Sequence, residues 1–399
     1  MKVQNTIKRS VLVLACVVTL AGCSTIGGWF GADQSKKANE PAELTDITPS
    51  LTVSKLWSAN VGDGEGHMGV RQGPTVLDGR VYAAAIDGGV RAYDLQTGAL
   101  QWTYEPPKVE DKPKLKLSGG PGAGAGLVVI GGLDGEVIAL DAATGTEKWR
   151  AQVGSEVLAA PVIGDGLVLV RSNDGRVTAF DTEAGQRRWF WQRDLPSLTV
   201  RGNDAVLLGP GYVFVGNDDG SLVALASQDG RLLWEQAIAQ AEGRSELDRM
   251  ADVDGTPALD GTTLYATSFK RQTMAIDGPT GRPIWQKDNG GAGRVGNGSD
   301  RVVVADPAGT VWAIDKASGS ALWSQPALAR RNLAGVAVQG DYAVVGDYDG
   351  YVHWLRLDTG AIAARARVGG EAIKATPVVA DGVLLVQNID GEVTAFRLQ

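Results

Sequence analysis

The chain has 399 residues, 54 of them glycine, and a formal net charge of −8 at pH 7. Abundant glycine with few aromatic residues is typical of a turn-rich all-β protein. The acidic balance without a basic patch argues against nucleic acid as a partner. Two cysteines and two histidines are too few for a disulfide framework or a zinc site with the usual ligand spacing.

The N-terminus has the pattern of an export signal. Three basic residues precede an apolar segment at residues 11–20, which is too short to span a bilayer as a helix. Leu20-Ala21-Gly22-Cys23 then matches the bacterial lipobox, which implies cleavage before Cys23 and a covalent lipid on its sulfur. Ser24 follows in place of the aspartate that retains lipoproteins in the inner membrane. We therefore predict a lipoprotein signal peptide at 1–22 and a location on the periplasmic face of the outer membrane of a Gram-negative cell; the alternative is a plain secretory signal with an incidental cysteine.

Removal of the signal changes the charge and the thiol content. Residues 1–22 carry three positive charges and no acid, so the mature chain carries −11. Cys16 leaves with the signal, and Cys23 is the predicted lipid site. Residues 23–50 are rich in glycine, serine, lysine and acids, and they predict a lipidated flexible tether with a reach of roughly 30 Å. An acidic chain gains no electrostatic hold on anionic lipid, so attachment to the membrane must come from the lipid.

One phrase, Asp-x-x-Thr-Gly-x-x-x-Trp with variations, recurs along residues 51–399. Its last tryptophan is placed after a glycine at Trp102, Trp149, Trp189, Trp234, Trp285 and Trp323. The spacing averages about 44 residues, which is the length of a four-stranded propeller blade. Asp-Gly turns between β-branched runs mark hairpins within each unit.

The ends of the repeat array complement each other. The last unit has three predicted strands and stops where its fourth should begin, whereas an isolated strand near the N-terminus carries Trp57, 45 residues before Trp102. We therefore predict an all-β, eight-bladed β-propeller with PQQ-like repeats, closed by the N-terminal strand in the C-terminal blade, which leaves no open sheet edge at the seam.

The eight equivalent tryptophan positions predict a structural role. Seven hold tryptophan, and the seventh copy has Ala364 instead. A ring system with one N–H group suits packing between neighbouring blades. Stacking on a ligand is the alternative, and it would require one tryptophan that differs from the others.

Catalytic motifs are weak. His353 lies in a predicted strand, and neither it nor His67 has a metal-ligand partner at zinc spacing. Gly291, Gly293 and Gly296 match G-x-G-x-x-G, but a turn precedes them and a strand follows. Dinucleotide binding needs a strand before and a helix after, so we predict a plain connector into blade six.

Acidic residues cluster at Glu246, Asp248, Asp252 and Asp254. The positions of an EF-hand are not matched, although a calcium loop is conceivable. We predict a solvated acidic loop here.

The repeat phrase resembles that of pyrroloquinoline-quinone (PQQ) dehydrogenases, which are also eight-bladed. Those enzymes have much larger chains, calcium ligands above the quinone and commonly an adjacent cysteine pair, and this chain lacks the size and the cysteines. The whole chain, with its lipobox, short tether, eight repeats and closing strand, is instead similar to the BamB family, the non-enzymatic lipoproteins of the outer-membrane β-barrel assembly (BAM) machinery.

The resemblance implies a partner and a site. Residues 195–202 and 247–257 look like the BamB segments implicated in binding the periplasmic POTRA domains of BamA. Carried over by position, the contact residues are Leu198, Val200, Arg201, Asp252 and Asp254. The repeat register places both segments in equivalent connectors of adjacent blades, near the mouth of the central channel. The alternative is an ion pair within the chain between Arg201 and the two aspartates, which contributes little at a surface.

The resemblance further implies a scaffold without enzymatic activity and without a cofactor other than the lipid on Cys23. It implies BamA and other BAM lipoproteins as partners, and nascent outer-membrane proteins as clients that a blade edge could bind by β-augmentation. Two alternatives remain open: a periplasmic quinoprotein or small-ligand binder that uses the channel, and a propeller for another envelope partner such as peptidoglycan.

Overall fold

The computed structural model describes residues 40–65, 68–108, 110, 113–199, 204–240, 242–245, 247 and 250–399. The chain divides into two compact units, Met1–Glu43 and Leu44–Gln399. Every strand described below belongs to the second unit. Within the described residues, no helix has the length and hydropathy needed to cross a bilayer.

Within the described residues the second unit contains 32 β-strands in eight four-stranded antiparallel sheets. Sheet one contains β2 (Thr75–Leu77), β3 (Arg80–Ala85), β4 (Gly89–Asp94) and β5 (Leu100–Tyr104), and sheet two contains β6 (Leu117–Gly124), β7 (Leu127–Gly132), β8 (Glu136–Asp141) and β9 (Glu147–Gln152). Sheet three contains β10 (Val162–Gly164), β11 (Leu167–Ser172), β12 (Arg176–Asp181) and β13 (Arg187–Gln192), and sheet four contains β14 (Leu207–Gly209), β15 (Tyr212–Gly216), β16 (Ser221–Ala226) and β17 (Leu232–Ala237). Sheet five contains β18 (Ala258–Asp260), β19 (Thr263–Thr267), β20 (Thr273–Asp277) and β21 (Arg282–Lys287), and sheet six contains β22 (Gly296–Asn297), β23 (Arg301–Ala305), β24 (Val311–Asp315) and β25 (Ala321–Gln325). Sheet seven contains β26 (Ala337–Gln339), β27 (Tyr342–Gly346), β28 (Tyr351–Arg356) and β29 (Ile362–Arg367), and sheet eight contains β30 (Val378–Ala380), β31 (Val383–Gln387), β32 (Glu392–Leu398) and β1 (Val53–Asn60).

The eighth sheet contains both ends of the array. Its strand order is β1-β32-β31-β30, and β1 pairs antiparallel with β32, with Val53 opposite Leu398 and Trp57 opposite Ala395. The predicted eight-bladed propeller, closed by the N-terminal strand, is confirmed. The closure gives β32 a hydrogen-bonded neighbour on each side.

The repeated Asp-x-x-Thr-Gly segment forms a tight turn before the outermost strand. In sheet one, Oδ1 of Asp94 accepts hydrogen bonds from the backbone N–H groups of Gln96 and Thr97 and from the Thr97 hydroxyl. Gly98 follows with φ of 70°, a left-handed conformation that favours glycine. Aspartates in later sheets accept the same type of bond, at Asp141, Asp181, Asp277 and Asp315.

That glycine is also the contact point between sheets. A Cβ atom added to Gly185 would lie 2.5 Å from the ring of Trp149 in the preceding sheet. The indole Nε1–H of Trp149 donates to the carbonyl of Thr182, 3.1 Å away. The other indoles of the series make the same kind of bond to the next sheet, at Trp57, Trp102, Trp189, Trp234, Trp285 and Trp323. The predicted packing of these rings between blades is confirmed.

In the seventh sheet, which has Ala364 at the tryptophan position, another tryptophan supplies the ring that contacts the next sheet. Ala364 lies directly opposite Trp354, which reverses the Ala–Trp pairing of the other sheets. Trp354 is fully buried and meets the ring of Phe396 in the eighth sheet edge-on. Its indole donates to Gln339, and the amide of Gln339 in turn donates to the carbonyl of Gly382. The indole thus reaches the next sheet through a glutamine.

Residues 44–50, which the sequence analysis assigns to the tether, contact the edge of the seventh sheet. Ser50 donates its backbone N–H to the carbonyl of Ala363 at 2.9 Å. The guanidinium of Arg365 donates to the carbonyl of Thr45 at 3.1 Å. Leu44 packs against the apolar cluster between sheets six and seven. These contacts cover the outer edge strand of sheet seven.

Candidate functional site

The innermost strands of the eight sheets and the connectors that precede them line a central channel. One chamber of about 520 Å³ is bordered by the cations Arg71, Arg294 and Lys374, and by Asp204 and Thr256. The last two residues belong to the connectors that precede sheets four and five. These connectors therefore reach the channel, as the repeat register predicted.

We call residues 193–206 and 238–257, which join sheets three, four and five, the connector pair. The two segments are bonded to each other. The backbone N–H of Asp204 donates to the carbonyl of Asp254 at 2.9 Å, and the Asp204 carboxylate accepts from the N–H of Thr256 at 3.1 Å. The hydroxyl of Thr256 also donates to the carbonyl of Ala205. The predicted proximity of the two connectors is confirmed.

The connector pair exposes large apolar side chains. Leu195, Leu198 and Leu247 are 42%, 40% and 70% exposed. Elsewhere among the described residues, the large exposed apolar side chains lie on the outer strands of the sheets, and Tyr348 is the one exception. Large exposed apolar side chains on loops that a rigid framework holds are typical of a protein interaction site.

The predicted contact residues divide into three groups. Leu198 is exposed on the first connector. Val200 and Arg201, like Cys23, lie outside the described residues. Asp252 and Asp254 are 0% and 1% exposed, so the prediction of a solvated acidic loop is wrong for these two residues, whereas Glu246 and Asp248 lie outside the described residues. The loop is not solvated at this point because groups from other sheets enclose it.

Three buried carboxylates converge beneath the connector pair. Asp218 lies in the turn between β15 and β16, and Asp252 and Asp254 lie on the second connector. One oxygen of each carboxylate lies within 4.8 Å of the others. The buried guanidinium of Arg171, near the end of β11, approaches the Asp218 carboxylate at 3.4 Å. The group therefore joins sheets three and four to the connector that leads to sheet five.

This environment changes the proton affinity of the cluster. Burial raises the pKa of Asp254 to about 8, and the charge of Asp252 acts in the same direction against an opposing effect of Arg71. Burial lowers the pKa of the Arg171 guanidinium, and the charge of Asp218 opposes that change. A buried carboxylate of this kind stays protonated at neutral pH unless a cation compensates it.

Sequence reasoning missed Asp218 and Arg171. Asp218 belongs to an Asn-Asp-Asp-Gly turn that looks like the other hairpin turns of the repeat. The sequence does contain a signal for Arg171. This arginine directly follows the apolar run from Leu167 to Val170, in a strand that is buried throughout. A charge in such a strand must meet an opposite charge.

The weak catalytic motifs have structural roles. His353 is buried in β28, where its Nε2 contacts Asp347 at 2.9 Å and its Nδ1 accepts from Arg365 at 3.3 Å. Burial lowers the pKa of His353, which keeps the ring neutral. His67 lies outside the described residues. The glycine triplet leads into β22 and β23, so the prediction of a connector is confirmed.

Eight four-stranded sheets, an aspartate turn before the outer strand in five of them, and indoles between sheets define an eight-bladed β-propeller of the PQQ-like repeat class. The family model described as "Outer membrane protein assembly factor BamB" matches residues 50–113, 108–325 and 307–398. The chain belongs to this family.

Relatives of the same description match over nearly their whole length. The assembly factor BamB of Xanthomonas campestris pv. campestris is 65% identical over 403 residues, which cover 100% of this chain and 99% of that protein. BamB of Escherichia coli K12 is 36% identical and covers 95% of this chain and 96% of its own length. These relatives are named as assembly factors and carry no enzyme name.

Solved structures agree on the fold. BamB from Moraxella catarrhalis superimposes with a TM-score of 0.76 at 29% identity, covering 87% of this chain and 100% of that chain. A quinohemoprotein alcohol dehydrogenase from Comamonas testosteroni reaches a TM-score of 0.67 at 18% identity, covering 86% of this chain and 76% of its own. The second likeness concerns the fold alone.

Proposed function

We propose that the chain is a lipid-anchored, non-catalytic scaffold of the BAM machinery and that its connector pair binds the POTRA domains of BamA. The observation that carries the proposal is the display of Leu195, Leu198 and Leu247 on two connectors that are hydrogen-bonded to each other. A rigid framework below exposed leucines limits the ordering cost of binding. The names of the relatives support the assignment to outer membrane protein assembly.

The burial of Asp252 and Asp254 refines the role of the five predicted residues. Side chains that are 0% and 1% exposed have no free surface for a partner. Their role in this proposal is to position the second connector, while Leu198, Val200 and Arg201 make the contact. An apolar centre with one arginine matches the composition of strong protein interfaces.

The test is a binding measurement with purified BamA POTRA domains. We expect Leu198→Asp to weaken binding at least tenfold, because a carboxylate would be buried against an apolar partner surface. Arg201→Glu should weaken binding as well. Leu322→Asp is the matched control, since Leu322 is 45% exposed on the outer strand β25 of sheet six. Unchanged affinity in both connector variants, with the fold intact, would remove the connector pair from the interface.

The cellular position forms a further part of the proposal. Lipidation of Cys23 would hold the protein at the periplasmic face of the outer membrane, where other BAM lipoproteins and nascent outer-membrane proteins are present. Metabolic labelling with radioactive palmitate tests the modification. The wild-type chain should incorporate the label, and Cys23→Ser should not.

A further inference from the structure

The central channel concentrates positive charge in a chain whose net charge is −8. Among the described residues, four charged side chains border the chamber of about 520 Å³: Arg71, Arg294 and Lys374 are cations, and Asp204 is a carboxylate. A cavity lined mainly by one sign of charge raises the local concentration of ions of the opposite sign. The chamber therefore favours an anion.

Arg294 occupies a position where the other repeats place small side chains. It lies two residues before Gly296, which pairs with Val303 in sheet six. The equivalent positions of the other seven sheets hold glycine, alanine or threonine, at Gly73, Gly120, Ala160, Ala205, Thr256, Gly335 and Thr376.

The small residues at this position pack closely around the channel. A Cβ atom added to Gly335 would collide with Oγ1 of Thr376 and with the backbone of Arg294. A long side chain at one place in such a narrow ring has room only in the channel itself. In agreement, the side chain of Arg294 is exposed and borders the chamber.

Arg71 and Lys374 occupy equivalent positions in two adjacent sheets. Each lies four residues before the first paired residue of its inner strand, in sheets one and eight, and these sheets pack against each other at the closure of the ring. Lys374 forms an ion pair with Glu65, whose second carboxylate oxygen accepts a backbone N–H at 2.7 Å. Lys374 therefore has a counter-charge within the chain.

Arg71 and Arg294 differ from Lys374 in this respect. Within the part of the chain that the structure describes, neither guanidinium makes a hydrogen bond or an ion pair. The two carboxylate oxygens of Asp204 accept backbone N–H groups at 2.9 and 3.1 Å. A guanidinium presents its N–H donors in a planar fork that matches a carboxylate or a phosphate group.

The chamber also has an apolar part. Pro121, Pro161, Ile163 and Leu207 contribute to it from sheets two, three and four. Small-molecule sites commonly have volumes of about 300–1,000 Å³ and combine apolar walls with a few polar groups that orient the ligand. We propose that the chamber binds one small organic oxyanion, whose phosphate or carboxylate group contacts Arg71 and Arg294 and whose apolar body packs against these side chains.

This inference goes beyond the proposed function and does not depend on it. Leu195, Leu198 and Leu247, which carry the proposed function, do not border the chamber. The ligand would be an addition to a scaffold, and its binding requires no catalysis. Because the two binding events are measured with different ligands, a failure of either proposal leaves the other testable.

The experiment uses the full mature chain in a buffer of low ionic strength without phosphate or carboxylate. Titration calorimetry with phenyl phosphate should give one site per chain and a Kd below about 1 mM. Phenylacetate is the second arm, and the tighter ligand of the two assigns the anionic group. Benzyl alcohol, which has no charge, should not bind. Inorganic phosphate should bind about tenfold more weakly than phenyl phosphate, because it buries no apolar surface.

Two variants and a control locate the anion. Arg71→Gln and Arg294→Thr should each weaken the binding of phenyl phosphate at least about tenfold, because each removes a charge and its donors. Threonine suits position 294, since Thr256 and Thr376 occupy equivalent positions. Arg282→Gln removes the same charge from an exposed site on the outer strand β21 and should bind like the wild-type chain. Unchanged unfolding temperatures without ligand would show that the variants keep the fold.

Three outcomes would overturn the inference. The first is the absence of binding of both phenyl phosphate and phenylacetate to the wild-type chain at about 10 mM ligand. The second is binding to Arg71→Gln and Arg294→Thr as tight as to Arg282→Gln, which would place the anion outside the chamber. The third is inorganic phosphate binding as tightly as phenyl phosphate, which would indicate an adventitious ion only.

Discussion

At the scale of single residues, the indole rings combine two roles that a purely apolar side chain cannot fill together. The ring of Trp149 occupies the space above Gly185, and its N–H group satisfies the carbonyl of Thr182. A phenylalanine at this position would fill much of the space and leave that carbonyl without its donor. This explains why tryptophan recurs at these positions, and why Trp354 is accompanied by Gln339 where the geometry differs.

Replacing Trp149 with alanine should therefore destabilise the propeller. We expect a loss of about 3–5 kcal/mol in the free energy of unfolding, because the change removes packing and leaves a cavity between sheets two and three. Urea unfolding followed by circular dichroism measures it. Phe190→Ala is the control, since Phe190 is 51% exposed on β13 and its removal should cost less than about 1 kcal/mol. Equal losses in the two variants would contradict the packing role.

The buried Asp254 predicts a pH dependence. Its raised pKa, about 8, means that the folded chain holds a proton that the unfolded chain releases near pH 4. Its contribution to stability is therefore complete below pH 4 and is lost progressively as the pH rises towards 8.

The measurement compares Asp254→Asn with the wild-type chain, because the titrating groups that lie far from this cluster then cancel. The variant cannot titrate at this position, so its stability relative to the wild-type chain should increase between pH 4 and pH 8. Parallel curves for the two chains across this range would show that Asp254 titrates normally in the folded state.

At the scale of elements, β1 fills the outermost position of the eighth sheet. Trp57 of this strand packs against Gly98 of the first sheet, so one strand completes a sheet and an interface between sheets. Without it, the edge of β32 would be free to pair with another chain.

A chain that starts at residue 62 should therefore fail to remain monomeric. We expect dimers or larger species, because the exposed edge of β32 offers unpaired backbone groups beside the apolar Val393 and Ala395. Size-exclusion chromatography with light scattering measures the mass, and a chain that starts at residue 44 is the control. Addition of a peptide of residues 50–62 should restore the monomer. A stable monomer without either strand or peptide would contradict the closing role of β1.

The number of sheets and their closure were predictable because their signals are local. An aspartate turn, a left-handed glycine and alternating apolar residues lie within one repeat, and the repeat recurs. The exchange between Ala364 and Trp354 was not predictable in the same way. The two residues lie opposite each other on paired strands, so either strand can supply the ring, and the repeat pattern does not say which.

The proximity of the two connectors was predictable from the sequence, whereas the burial of Asp252 and Asp254 was not. The repeat register brought the two connectors together, because equivalent positions of adjacent repeats are neighbours in a propeller. The burial of Asp252 and Asp254 depends on Asp218 and Arg171, which come from other sheets. An acid-rich segment taken by itself favours solvent, and only the tertiary arrangement shows that it is enclosed.

At the scale of the whole molecule, the ring of sheets holds loops that would be mobile in isolation. Seven of the eight sheets contact the next through an indole and a glycine, and sheet seven contacts sheet eight through Trp354 and Phe396. The connectors before sheets four and five therefore extend from fixed strand ends. Binding residues on loops of a rigid framework are a common arrangement for recognition. The propeller therefore holds the connectors in fixed positions for binding, and the N-terminal lipid that we propose would hold the protein at the membrane.

The contribution of that lipid should be separable from the contribution of the propeller. Cys23→Ser, exported behind a signal peptide that is cleaved without lipidation, should move the protein from the outer-membrane fraction to the released periplasmic fraction, since the mature chain at −11 has no electrostatic attraction to anionic lipid. High salt should not release the wild-type chain, whereas detergent should.

In solution, both chains should bind purified POTRA domains with equal affinity, because the connector pair is unchanged. In cells, co-purification with BamA should fall for Cys23→Ser, because confinement to the same membrane raises the effective concentration of the partners. A variant that still sediments with membranes after a high-salt wash would show that the propeller itself attaches to the membrane, and a lower affinity in solution would show that residues near Cys23 take part in binding.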